Sequence, residues 1–133
     1  MEVIYNMNQI LIDTSILTSH LNGHQATKDF LHTLAQSDAP LPAVSIIAEM
    51  ELYMMRPEID IEIITKILTT VTILPISSSI AQKAGLLKSK HPEMKTEHAI
   101  VAATALEHGF ALVTFDVKTY KIIPGLIIFN VPG

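Results

Sequence analysis

Gln9-Ile10-Leu11-Ile12-Asp13-Thr14-Ser15-Ile16-Leu17 is an apolar run that stops abruptly at a carboxylate followed by two hydroxyl residues. An unbroken series of β-formers reads as a strand buried on both faces, the kind found inside a parallel sheet. Asp13 then lies at the strand's carboxyl end, and Thr14 and Ser15 begin a helix. Open α/β sheets bind ligands at that edge. One acid there decides little. A divalent cation needs several oxygen ligands converging on one point, so the meaning of Asp13 depends on acids from distant parts of the chain reaching the same edge.

Outward from this strand the pattern alternates. Residues 16–21 and 26–35 carry apolar residues at helical spacing, with Asn22-Gly23 as the stop between them. A short strand is expected over 41–44, its prolines at the beginning, and Ser45 fits an N-cap for a helix over 46–55 that Arg56-Pro57 closes. A helix over 60–70 with Ile63, Ile64, Ile67 and Leu68 as its apolar stripe leads to a strand over 71–74. A helix over 77–90 follows, then a loop over 91–95. The next helix begins at Thr96 and is closed by Gly109. A buried strand over 111–114 ends at Phe115-Asp116, and after a Lys-rich turn and Pro124-Gly125 a last strand spans 126–129. Strands alternating with helices at this spacing predict a three-layer α/β/α domain with a mainly parallel central sheet. Residues 1–8 read as a loose leader with Met7 as an alternative start, and residues 9–133 as one domain.

Composition narrows the class. The 133 residues are 49% hydrophobic, enough for one proper core. Cysteine is absent, which excludes disulfides and thiolate zinc sites and is compatible with a reducing cytoplasm. The opening residues lack a signal-peptide pattern, and no apolar run approaches the ~18 residues of a membrane span, so a soluble cytoplasmic protein is expected. Net charge is −4, with Arg56 the single arginine, so no overall basic field grips nucleic acid. The lysines cluster instead: Lys83, Lys88, Lys90 and Lys95 precede the Glu97 helix, and Lys118 and Lys121 follow Asp116. Positive charge flanking an acidic centre suits a metal nuclease, Lys95, Lys118 and Lys121 being the candidate phosphate contacts.

Asp13 and Asp116 both follow buried strands at one sheet edge, and the helix after a third strand carries Glu49 and Glu51. Two residues apart on a helix is about 200° around its axis, so only one of these glutamates faces a shared site. Converging acids suit Mg²⁺ or Mn²⁺ better than zinc. The six histidines make no zinc pattern: His20 and His24 are four apart, but Gly23 breaks the helix between them, and they are read as surface residues. Met50, Met54 and Met55 read as core or subunit contact. Helices with Met and Leu faces too broad for one core predict a homodimer.

Three stretches together resemble the PIN-domain ribonucleases, especially the VapC-like toxins of toxin–antitoxin pairs. Leu11-Ile12-Asp13-Thr14-Ser15 is similar to that family's opening strand and metal-binding aspartate. Ser45-Ile46-Ile47-Ala48-Glu49-Met50-Glu51-Leu52 resembles its S-x-x-T-x-x-E-L, which places the family's glutamate on Glu51. His98 to Gly109, then Leu112-Val113-Thr114-Phe115-Asp116 and Ile123-Pro124-Gly125-Leu126, resemble D-A-x-I-A-A-x-A-x-x-x-G, L-V-T-x-N/D and I-P-G-L. The resemblance implies a ribonuclease that holds Mg²⁺ or Mn²⁺ on Asp13, Glu51 and Asp116. Ser15 and Thr114 would orient the carboxylates or the water, and RNA, a small antitoxin and a second copy would be its partners. It departs from the family at His98, where the family has an aspartate. Three alternatives stay open: His98 ligates through a neutral ring nitrogen, Glu97 takes the role after a small helix rotation, or the site is crippled. Thr119, where many relatives carry an acid, is a second departure. The competing expectations are a PIN fold that binds protein or RNA without cutting it, and a metal-dependent phosphatase or DNA nuclease at the same edge.

Overall fold

The structure, a computed structural model, describes residues 9–38 and 40–131; the expected leader over 1–8 lies outside them. Its first strand, β1, is Ile10–Ile12, and β2 is Ala43–Ser45, β3 Thr72–Leu74, β4 Ala111–Val113 and β5 Ile128–Phe129. They form one sheet in the order β3-β2-β1-β4-β5. Each neighbouring pair is parallel, with Ile10, Leu11 and Ile12 opposite Ala111, Leu112 and Val113. The apolar run ahead of Asp13 thus supplies the central strand, buried at Ile10, Leu11 and Ile12.

The two-residue period of β1 sorts its side chains into two cores. Ile10 and Ile12 pack with Ala111, Val113 and Val44 on one face, against helices α1 (Thr14–Leu21), α2 (Gln25–Ala35), α3 (Ile46–Tyr53) and α4 (Ile61–Leu68). Leu11 and Leu112 pack on the other face, against α5 (Ser78–Lys90), α6 (Thr96–His108) and the single-turn α7 (Val117–Tyr120). Helices therefore cover both faces of a parallel sheet, the expected three layers. Alanines 99, 102, 103 and 105 let α6 lie close to the strands, and Tyr120 fills the far end of that core.

Local chemistry marks the boundaries. Ser45 and Ser77 cap α3 and α5 by accepting from the N–H groups of Ile47 and Ile80. Gly109 ends α6 at φ +70°, with its N–H on the Leu106 carbonyl and that of Phe110 on Ala105. Several boundaries shift inward: α3 stops at Tyr53 rather than 55, α4 spans 61–68 rather than 60–70, and the closing strand keeps only Ile128 and Phe129. Frayed terminal turns and short edge pairing account for this. The expected Lys-rich turn after Asp116 is instead α7, closed by bonds from Thr119 to the Asp116 carbonyl and from Lys121 to that of Val117. Four residues are too few to show a period in sequence.

The chain builds β1, β2 and β3 to one side, then crosses to place β4 on the opposite flank of β1. Sheet order reverses there, and the carboxyl ends of β1 and β4 splay their following segments apart into a crevice.

Candidate functional site

The crevice is lined by Asp13, Thr14, Ser15, Glu51, Glu97, His98, Val101, Asp116 and Tyr120, around a cavity of about 180 Å³. Asp13 is its hub. The Ser15 hydroxyl donates to Asp13 Oδ1 and the Thr114 hydroxyl to Oδ2, each at 2.5 Å. Both hydroxyls also accept from the segment after β4: Ser15 from the Phe115 N–H at 3.3 Å, Thr114 from that of Asp116 at 2.9 Å. Two hydroxyls thus lace the ends of β1 and β4 together through one carboxylate. Glu51, from the second turn of α3, accepts from the Thr14 hydroxyl at 2.5 Å. Glu49 does not line the cavity, as the opposed helix faces require.

A family model described as the PIN domain matches residues 10–123. The chain belongs to the PIN domain family. It is 29% identical over 129 residues to Ribonuclease VapC10 of Mycobacterium tuberculosis, covering 93% of this chain and 96% of that protein. Among solved structures it is similar to a toxin–antitoxin complex from Klebsiella pneumoniae, with 32% identity, a TM-score of 0.74, and coverage of 89% of this chain and 95% of that one. It shares its fold with VapBC2 from Rickettsia felis, crystallised bound to a DNA fragment from its promoter, at a TM-score of 0.75 and 21% identity over 92% and 98% of the two chains. Of the readings set out from sequence, these relatives favour the ribonuclease over the non-cutting binding module.

In this PIN domain both candidates for the departed aspartate position, Glu97 and His98, line the cavity from the first turn of α6, with no rotation of the helix. His98 Nε2 lies 4.0 Å from Asp116 Oδ2, and its ring meets the Tyr120 ring edge-on at 5.6 Å. Burial pushes the Asp13 carboxyl above its ordinary value, against the opposing pull of the Ser15 and Thr114 hydroxyls and backbone N–H groups. The Tyr120 phenol is raised strongly, first by burial and then by the charges of Asp13, Asp116, Glu51 and Glu97. The phenol thus lies on a wall of the cavity that faces all four acids. It also stays protonated, a neutral hydroxyl beside an anionic cavity.

The donor set fits a hard divalent cation: carboxylates from four segments, an imidazole, hydroxyls, and, among the described residues, no lysine or arginine in the lining to neutralise them. Among the described residues no three of these side chains are drawn to one point at ligand distance, so the acids line a common cavity rather than a closed cage.

The lysines divide. Lys88 donates to the carbonyls of Pro92 and Met94 and so ties the loop between α5 and α6, and Lys83 lies 3.7 Å from Glu107. Lys95, Lys118 and Lys121 are exposed, the first at the N-cap position of α6, the second in α7 and the third at its C-cap, just past Asp116. The reading of His20 and His24 as surface residues holds for His24, which is exposed, while His20 is half-buried. His24 caps α2 through Nδ1, which faces the Thr27 N–H, and its ring packs edge-on against Phe115. His20 is partly buried with Nδ1 unpartnered among the described residues, and burial, then the Lys28 charge, lowers its pKa. Thr14, Val101 and Tyr120 line the cavity without having been site candidates from the sequence; the hydroxyl directly after a strand-ending aspartate was the available signal for the first.

Proposed function

We propose that this chain is a metal-dependent endoribonuclease of the VapC kind, the toxin of a toxin–antitoxin pair, hydrolysing RNA phosphodiester bonds in the cytoplasm. The observation that carries the reading is a buried aspartate at the switch point of a PIN fold, sharing one cavity with three further carboxylates and no lysine or arginine among the described lining. Asp13, Glu51 and Asp116 would hold Mg²⁺ or Mn²⁺, with Glu97 and His98 completing the set from α6. When bound, the cation supplies positive charge that activates water and offsets the charge gathering on phosphorus.

The chain's own residues set the geometry. Ser15 and Thr114 fix both oxygens of Asp13, so the carboxylate presents its remaining lone pairs in one direction. Lys95, Lys118 and Lys121 stand outside the acid cluster, where they meet flanking phosphates without competing for its carboxylates. On the face of the sheet covered by α1 to α4 a groove of about 950 Å³ runs between α2 and α4, its apolar wall made by Leu17, Leu21, Leu31, Leu34, Ile63 and Ile67 and its polar lining including Lys28, Asp29 and Lys66. A largely apolar trough of that size supports the antitoxin as partner. A stripe at Met50, Tyr53 and Met54, exposed by 51%, 38% and 70%, supports the second copy.

The test is cleavage of RNA by purified protein stripped with chelator and resupplied with Mn²⁺ or Mg²⁺. Asp13→Asn should reduce cleavage at least ~100-fold while circular dichroism shows the fold retained. Full activity in that variant would assign the cleavage to another site or a contaminant.

A further inference from the structure

The two hydroxyls that follow Asp13 face different acids. Ser15 turns back to Asp13, while Thr14 reaches from the start of α1 to Glu51 on α3, 37 residues away in sequence. We propose that Thr14 is a positioning residue that latches Glu51 toward the cation site before any ligand arrives; the inference rests on the nuclease reading of that site.

The geometry makes the latch one-sided. Thr14 is separated from the buried central strand by Asp13 alone, and Ile16 and Leu17 anchor its helix in the core, so its hydroxyl is placed by the most constrained part of the fold. Glu51 is only partly buried and hangs on a flexible stem with three rotatable bonds. The rigid partner therefore orients the mobile one. A carboxylate has about four lone-pair sites, and a single donated bond to Oε1 leaves the rest for a cation. Both residues line the same cavity, so the bond points Glu51 along the wall that Asp13 shares. The first turn of α1 thus organises two acids from adjacent positions, one through Ser15 and one through Thr14.

A bond that merely ties α1 to α3 would act on folding; a latch acts on metal affinity and only through Glu51. The experiment is calorimetric titration of the full chain with Mn²⁺, for wild type, Thr14→Val, Thr14→Ser, Glu51→Gln and the Thr14→Val/Glu51→Gln double variant. Thr14→Val should weaken Mn²⁺ about 10- to 100-fold, the range for losing a partner that orients a ligand. Thr14→Ser should restore most of that affinity. In the Glu51→Gln background, Thr14→Val should cost nothing further. An equal loss with and without Glu51, or no loss at all, overturns the latch. Crystal structures of the metal-free variants supply a readout without metal: Glu51 should leave its position in Thr14→Val and keep it in Thr14→Ser, and an unmoved Glu51 in both also overturns it. If Thr14→Val fails to fold, Thr14→Ala repeats the cycle with a better helix former. Wild-type protein that takes up no Mn²⁺ sinks the nuclease reading, whereas Mn²⁺ uptake indifferent to Thr14 sinks the latch alone.

Discussion

Asp13 is held in the native state at a cost. Burial makes it bind its proton more tightly in the folded chain than in the unfolded one, so stability falls as pH rises from the ordinary value of 3.8 through the raised folded value. Once pH exceeds both values the whole penalty is present. Metal-free Asp13→Asn should therefore melt higher than metal-free wild type at neutral pH, by roughly 3 °C per kcal/mol recovered, and the gain should vanish as pH falls below 3.8. His20 works in the opposite sense: its lowered folded pKa means stability is lost as pH falls below 6.5, so the comparison must be variant against wild type at each pH. Calorimetric melts across that range check the sign, and a variant that melts lower at neutral pH would refute it. His98 tests the acid cluster itself. Exchanging an imidazole for a carboxylate adds a negative charge beside Asp116, so His98→Asp should tighten Mg²⁺ binding and raise RNA cleavage, measured by calorimetry and a fluorogenic RNA. Binding and cleavage both undetectable in that variant would leave a PIN fold kept for its partner.

Elements were legible wherever their cause was local. The N-caps at Ser45 and Ser77 and the glycine stop at Gly109 are written in residues next to the boundary they set. Gly109 can be tested directly. Space at its Cβ position is open, so Gly109→Ala pays only for the left-handed backbone, and denaturant unfolding should show a loss of about 1 kcal/mol. No loss would mean that α6 can end in another way. The site was legible for Asp13 and Asp116, which strand ends mark, and for Glu51, which resemblance separated from Glu49. Thr14, Tyr120 and the structural roles of Lys88 and His24 were not. Each depends on a neighbour brought close by folding, and no local pattern carries that information. The same limit hid α7, whose four residues hold Tyr120 in the core beneath the acids.

At the scale of the whole molecule the exposed stripe of α3 lies on the helix that carries Glu51, so the proposed pairing and the proposed cation site would share a scaffold. Wild type should sediment as a dimer at micromolar concentration, and Met54→Glu should shift it to monomer, since a charge on the most exposed of these residues must be desolvated at any interface. A monomeric wild type would count against the pairing. The sheet order has a consequence in time as well as in space. Its central strand leaves the ribosome first, yet the neighbour that completes one flank, and the Thr114 hydroxyl that meets Asp13, come 101 residues later. At synthesis rates of ~5–20 residues per second, that is a delay of roughly 5–20 s. During it the nascent chain carries an open strand edge and only part of the proposed cation site. On the nuclease reading a cell making this protein would therefore be exposed to cutting only by finished copies, and the interval would give the proposed partner time to reach the emerging chain before the last acid arrives.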